Sequence, residues 1–138
     1  MVVTTDEEVR EILGKETVAV VGCSTTPGKA AHEIPKYLQR QSYEVIPVNP
    51  NAEAVLGRPA YDSLLEVEEE IEIVDVFRPS DEVAGIVEEA LVRDDCGVIW
   101  LQLGIHDDEA VARAEAAGRC VVEDRCMKPE HRRLVASA

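Results

Sequence analysis

The segment Thr17-Val-Ala-Val-Val-Gly-Cys-Ser-Thr-Thr-Pro-Gly-Lys29 joins a β-branched run to a turn of Gly, small hydroxyl residues, Pro and Lys, and a helical pattern follows it. Such a junction leaves main-chain N–H groups and the positive end of a helix where a phosphate can sit. Gly22 permits the tight turn, Cys23, Ser24 and Thr25 offer amides and small polar side chains, and Lys29 adds a phosphate-seeking charge. The spacing is not G-x-G-x-x-G. It is not a P-loop either, because Gly28-Lys29 is followed by Ala30 rather than Ser or Thr, which disfavours ATP hydrolysis. The competing reading of this segment is a plain turn.

Three other segments carry groups that can meet a nucleotide. Asn49-Pro50 stands where an NAD-binding chain usually presents Asp or Glu to the ribose. Asn49 can donate to a phosphorylated ribose without repelling it, and Pro50 can pack on adenine; a turn that simply needs Asn and Pro is the alternative. Phe77-Arg78-Pro79 offers a ring and a guanidinium, either for phosphate or for a neighbouring carboxylate. Gln102 and Gly104 follow an apolar run, and Gln102 either bonds a ligand amide or satisfies local main chain.

The inventory for covalent or acid–base chemistry is thin. His32, His106 and His131 are far apart in sequence, and there is no G-x-S-x-G elbow. Asp107 and Asp108 suit a helix N-terminus better than a metal site. Cys23, read as exposed on its turn near a helix N-terminus, is a candidate for a lowered pKa, although no base accompanies it. No catalytic residue and no metal ligand is assigned.

The chain has 138 residues, one domain by length, with 28 acidic against 14 basic residues and a net charge of −14. That surface repels phosphate backbones, so nucleic acid is excluded as a partner. Excess Asp and Glu with only four lysines suits a halophilic source, where salt screens the self-repulsion; an ordinary acidic protein is the alternative. No apolar run reaches the roughly 20 residues of a membrane span. The first residues lack a basic segment followed by an apolar one, so a cytoplasmic protein is expected. Cys23, Cys96, Cys120 and Cys126 form no C-x-x-C pair, which argues against zinc and against a disulfide framework.

The elements that must position these groups alternate. A helix is expected over 5–13, with Thr5 and Glu8 as a capping box and Gly14 as its end. Strands follow at 17–21, 43–48, 71–77, 98–103 and 120–122, with the second strand ending near Pro47. Helices are expected at 30–41 (ordered from about Glu33 because of Pro35), at 79–93 capped by Ser80, at 107–117, and as a last turn at 130–135. Residues 55–60 read as a loop. The class is α/β: a Rossmann-like, doubly wound parallel sheet in a single domain, with its core over about 15–135. Segments 22–29, 49–51, 77–80 and 102–106 should meet at the carboxyl ends of the strands.

Taken in order, Val20-Val-Gly-Cys-Ser24, Tyr43-Glu-Val-Ile-Pro-Val-Asn-Pro50 with Leu56-Gly57, Ile73-Val-Asp-Val-Phe-Arg78, Val98-Ile-Trp-Leu-Gln-Leu-Gly-Ile105 and Val122-Glu-Asp-Arg-Cys-Met-Lys-Pro-Glu-His131 resemble the CoA-binding protein family. These are stand-alone relatives of the CoA-binding domain in the succinyl-CoA synthetase alpha subunit. The resemblance implies a domain that holds coenzyme A, or an acyl-CoA, without chemistry of its own. It places Gly22, Ser24 and the following amides on the diphosphate, Asn49 and Pro50 beside the adenosine and its 3′-phosphate, Phe77, Arg78 and Pro79 on the opposite wall, and Gln102 and Gly104 toward the pantetheine arm. Relatives often carry Pro, an acid and Arg before Ser-Tyr in the first loop; here Pro27-Gly-Lys-Ala-Ala-His32 stands, with Lys29 in place of that Arg. A regulatory or carrier role is expected; the alternatives are an NADP-dependent reductase or other dinucleotide-binding enzyme, and an accessory module that works with a CoA-dependent enzyme, and a homodimer is also compatible with the sequence.

Overall fold

A computed structural model describes residues 2–136. Five parallel strands form one sheet: β1 (Thr17–Val21), β2 (Glu44–Val48), β5 (Ile73–Val76), β6 (Val98–Leu101) and β7 (Cys120–Val122), in the order β2-β1-β5-β6-β7. A two-residue hairpin, β3 (Ala54–Val55) and β4 (Arg58–Pro59), lies beside β2. The helices are α1 (Asp6–Leu13), α2 (Ala30–Arg40), α3 (Val83–Val92), α4 (Asp108–Ala116) and α5 (Met127–His131). The last continues into a wider turn over Arg132–Ala136.

Parallel strands covered on both sides must be apolar on both sides, and side chains alternate between the faces. Ala19, Ile46, Val74, Ile99 and Val121 face one way and pack with Val83, Ile86, Val87 and Ala90 of α3 and Ala110, Val111 and Ala114 of α4. Val18, Val20, Ile73, Val98, Trp100 and Val122 face the other way, against Val9 and Ile12 of α1, Ile34 and Leu38 of α2 and Met127 of α5. Each Val, Ile, Leu or Met side chain among them contributes roughly 1.5–3 kcal/mol when withdrawn from water. Trp100 is fully buried, and its indole N–H donates to the Arg125 carbonyl at 2.7 Å, which removes the cost of an unpaired donor. Doubly wound parallel α/β architecture is thus the observed class.

The first helix matches its sequence signature, with Glu8 N–H donating to Thr5 Oγ1 and the Glu8 carboxylate reaching back to Thr5 N–H. Three local expectations change. Pro47 does not end β2. The strand lies at the sheet edge, where a missing N–H is tolerated, and the Pro47 carbonyl accepts from Tyr61 N–H at 3.0 Å. Residues 55–60 are not a plain loop: Leu56 (φ 54°) and Gly57 (φ 77°) both take left-handed conformations, the geometry of a tight hairpin turn. Ser80 does not cap α3. It begins a 3-10 turn, Ser80–Glu82, and its hydroxyl accepts from His106 N–H at 3.1 Å. The chain start also adds to the sheet, with Val3 N–H donating to the Val121 carbonyl at 2.8 Å beside β7.

From β1 the chain crosses to β2 on one side, and β5 lies on the other. The two directions of winding part between β1 and β5, and a crevice opens there at the carboxyl ends of the strands.

Candidate functional site: a cleft at the carboxyl ends of β1, β2 and β5

A cleft of about 550 Å³ occupies that crevice. Eight of the residues singled out from sequence line it: Gly22, Ser24, Thr25, Lys29, Asn49, Pro50, Phe77 and Arg78. Val21, Val48 and Ile86 add apolar surface, while Asp62, Glu82 and Glu89 contribute carboxylates.

The β1–α2 loop is held in shape by its own helix. Helix α2 begins at Ala30, not at Glu33, and runs through Pro35. Proline has no N–H for the carbonyl four residues back. That carbonyl, of Ala31, instead accepts from Ser24 N–H at 2.9 Å. His32 Nδ1 lies 2.7 Å from the Ser24 carbonyl; because a carbonyl only accepts, Nδ1 carries the proton. Thr26 N–H donates to Ser24 Oγ at 3.0 Å, and Gly28 N–H to the Glu33 carboxylate at 3.1 Å. A proline that looks like an interruption in sequence therefore supplies the acceptor that anchors the loop.

This wiring revises the expected phosphate cradle. The Ser24 amide is already used internally, while its hydroxyl oxygen accepts from Thr26 N–H and keeps its own O–H to donate. Among the described residues, the N–H groups of Thr25 and Ala31 have no protein partner, and both residues line the cleft. Lys29, the residue before α2, is exposed at the rim with no ion pair among the described residues.

Asn49 shapes the second wall. Its Nδ2 donates to the Cys23 carbonyl at 2.9 Å and its Oδ1 accepts from Asn51 N–H at 2.8 Å, so one side chain ties the mouth of β2 to the β1 turn. One Nδ2 hydrogen remains beyond these two bonds. On the third wall, Arg78 donates to Glu82 through Nε (3.1 Å) and Nη2 (2.6 Å). The carboxylate alternative for Arg78 is thus the one seen, on a residue that lines the cleft wall.

Four sequence candidates do not line the cleft. The Cys23 side chain is fully buried rather than exposed, and burial, reinforced by the Asp75 carboxyl, pushes its thiol up to about 12. The expectation of a lowered pKa is overturned, since desolvation outweighs any helix-end effect. Gln102 is buried too, and its Nε2 donates to Asp75 Oδ1 at 2.5 Å. Gly104 donates its N–H to Asp124 at 2.7 Å. His106 N–H is held by the Ser80 hydroxyl, and residues 102–106 are not among those that line the cleft. Pro79 is exposed and leads the Ser80–Glu82 turn.

Asp75 is a group that sequence reasoning misses. It sits mid-strand between Val74 and Val76, wholly buried, and its Oδ2 has no hydrogen-bond partner among the described residues. Burial raises its pKa to about 7, against a smaller lowering by Gln102. An Asp inside an apolar strand is the signal that could have found it. Glu82 carries one as well, since it stands four residues after Arg78, a spacing at which opposite charges meet. Among the described residues, no group of three or more His, Cys, Asp or Glu side chains is arranged to hold a metal ion.

A family described as CoA binding domain matches residues 16–132. The chain belongs to that family. It is 41% identical over 125 residues to the uncharacterized protein YneT of Bacillus subtilis, covering 90% of this chain and 92% of that one. A solved structure of a hypothetical protein from Pyrococcus horikoshii superposes with a TM-score of 0.92 at 41% identity, covering 96% of this chain and 93% of the other. The ADP-forming acetate–CoA ligase I of Archaeoglobus fulgidus is 31% identical over 121 residues, which is 81% of this chain but 18% of the ligase. Among the described residues, no helix is long and apolar enough to cross a membrane.

Proposed function

We propose that this chain binds coenzyme A, free or acylated, in the cleft between β1, β2 and β5, and holds it without turning it over. The observation that carries this reading is the convergence of Gly22, Lys29, Asn49 and Arg78 on one cleft at the parting of the sheet, in a chain of the CoA-binding domain family. The Thr25 and Ala31 amides and the Lys29 and Arg78 charges receive the diphosphate. Asn49 and Pro50 flank the adenosine, and Phe77 packs against it. The place after β2 holds Asn49 rather than an acid, so a phosphoryl group on the ribose meets no carboxylate there. Gln102 and Gly104, turned to Asp75 and Asp124, act on the ligand only through the loop they brace.

Titration calorimetry with CoA, acetyl-CoA, NAD and NADP tests the reading. Saturable binding of CoA or acetyl-CoA, tighter than either nicotinamide dinucleotide, supports it. Binding of NADP alone would replace it with the reductase.

The likeness to ligases bears on how such a protein is used. The chain matches 14–18% of the length of the acetate–CoA ligases to which it is similar. A protein that presents CoA to a separate catalytic partner fits that relationship. Co-purification with a CoA-dependent enzyme, strengthened by added CoA, is the expected result.

A further inference from the structure

We propose that Glu82 is an internal competitor for the ligand: it holds the Nε–Nη2 edge of Arg78 and opposes any phosphate that would take that same edge. This rests on the CoA reading for the identity of the ligand, and on the structure for the contact itself.

Three observations support it. First, the pair is two-pronged, with both Glu82 oxygens engaged by Nε and Nη2 of Arg78, the same fork geometry that a phosphate would demand. Arg78 therefore cannot offer its Nε–Nη2 edge to both partners at once, although three further N–H donors remain on Nη1 and Nη2. Second, both residues line the cleft, so the competition takes place at the ligand's own position. Third, the stem of Arg78 is seated while its head is not. Its Cγ and Cδ lie over Gly22, within 3.2 and 2.7 Å of where a Cβ would stand, whereas the side chain as a whole is nearly half exposed. The guanidinium can exchange partners by turning about its last bonds, without unpacking the stem.

The contact also perturbs titration in the expected sense. Arg78 holds the Glu82 carboxyl below its usual range, so Glu82 is fully ionised at neutral pH. A bound phosphate that takes that edge of Arg78 leaves this carboxylate beside it unpaired. Two like charges then face each other on the cleft wall, with Asp62 and Glu89 nearby. Glu82 thus sets affinity from below, and it screens out ligands whose phosphates are too weakly charged to displace it.

The test is a double-mutant cycle read by calorimetry, using inorganic pyrophosphate and CoA as separate probes of wild type, Glu82→Gln, Arg78→Ala and the double variant. Glu82→Gln is expected to tighten both ligands about three- to fivefold, the range for releasing an exposed ion pair, and the gain is expected to vanish when Arg78 is replaced by Ala. Glu82→Ala guards against a residual hydrogen bond between the introduced amide and Arg78, and should behave alike. Unchanged or weaker binding in Glu82→Gln, or an equal gain without Arg78, overturns the proposal. CoA binding without the cycle leaves the CoA reading standing and removes the competitor. The cycle seen with pyrophosphate, in a protein that ignores CoA, keeps the competitor and removes CoA as its ligand.

Discussion

The Arg78 stem fills the space that a side chain on Gly22 would take. A Cβ built on Gly22 would stand 2.7 Å from Arg78 Cδ and 3.0 Å from the Phe77 carbonyl oxygen, and Gly22 itself has φ 88°. The missing side chain at the end of β1 is what lets the third wall of the cleft close against the first. Gly22→Ala should therefore lower stability by about 2–3 kcal/mol, from a left-handed alanine plus a clash with main chain. It should also weaken CoA binding, because Arg78 is pushed off its seat. Denaturant unfolding and calorimetry read the two effects separately.

Arg78 and Lys29 differ in how firmly they are placed, and their alanine variants should differ accordingly. Arg78→Ala is expected to weaken CoA binding by roughly 1–3 kcal/mol, the loss of a charge-assisted contact. Lys29, exposed at the rim, should cost nearer about 1 kcal/mol, and most of that should disappear in high salt. Calorimetric titrations at two salt concentrations check both statements.

Asp75 makes stability depend on pH in the direction opposite to most carboxylates. Its ordinary value of 3.8 is raised to about 7 by burial. Below pH 4 the group is neutral whether the chain is folded or not. Between about 4 and 7 the folded chain keeps a proton that the unfolded chain releases, so stability from this site falls as pH rises and levels off above 7. Asp75→Asn stays neutral throughout and keeps an acceptor for Gln102. Relative to wild type, this variant should gain stability from pH 4 to pH 8, by up to about 4 kcal/mol. A flat difference across that range would show that Asp75 is not the titrating group.

The thiols divide by burial. Cys23 and Cys96 are both fully buried, and burial, helped in Cys96 by its bond to Asp95, pushes each up to about 12. Cys120 and Cys126 are half-buried. A thiol reagent at pH 8 should therefore label Cys120 in the folded protein, Cys126 more slowly because burial pushes its thiol up as well, and the other two only after unfolding. Early labelling of Cys23, followed by mass spectrometry, would restore the exposed-thiol reading.

Much of the frame is legible because local signals agree with the global pattern. Thr5 and Glu8 announce their helix in four residues, and the alternation of short apolar runs with helical stripes admits little but a parallel, helix-covered sheet. Expectation and structure part where one residue serves two elements. Pro47 looks like a strand end until the edge position of β2 is known. Pro35 looks like a delayed helix start until Ser24 is seen to use the carbonyl it leaves free. Gln102 lies at a strand mouth as expected, yet Asp75, on the neighbouring strand, claims its amide. Such pairings join residues 7 to 27 positions apart across the fold, and no local spacing encodes them.

If main-chain donors and cations at the parting of β1 and β5 grip a diphosphate, amide NMR during a CoA titration shows it most directly. Saturable shifts concentrated at Gly22, Thr25, Ala31, Asn49 and Arg78, absent when NAD is added at the same concentration, are the predicted result. Shifts that fall instead around Lys128, Arg132 and Arg133, or no shifts at saturating CoA, would contradict it.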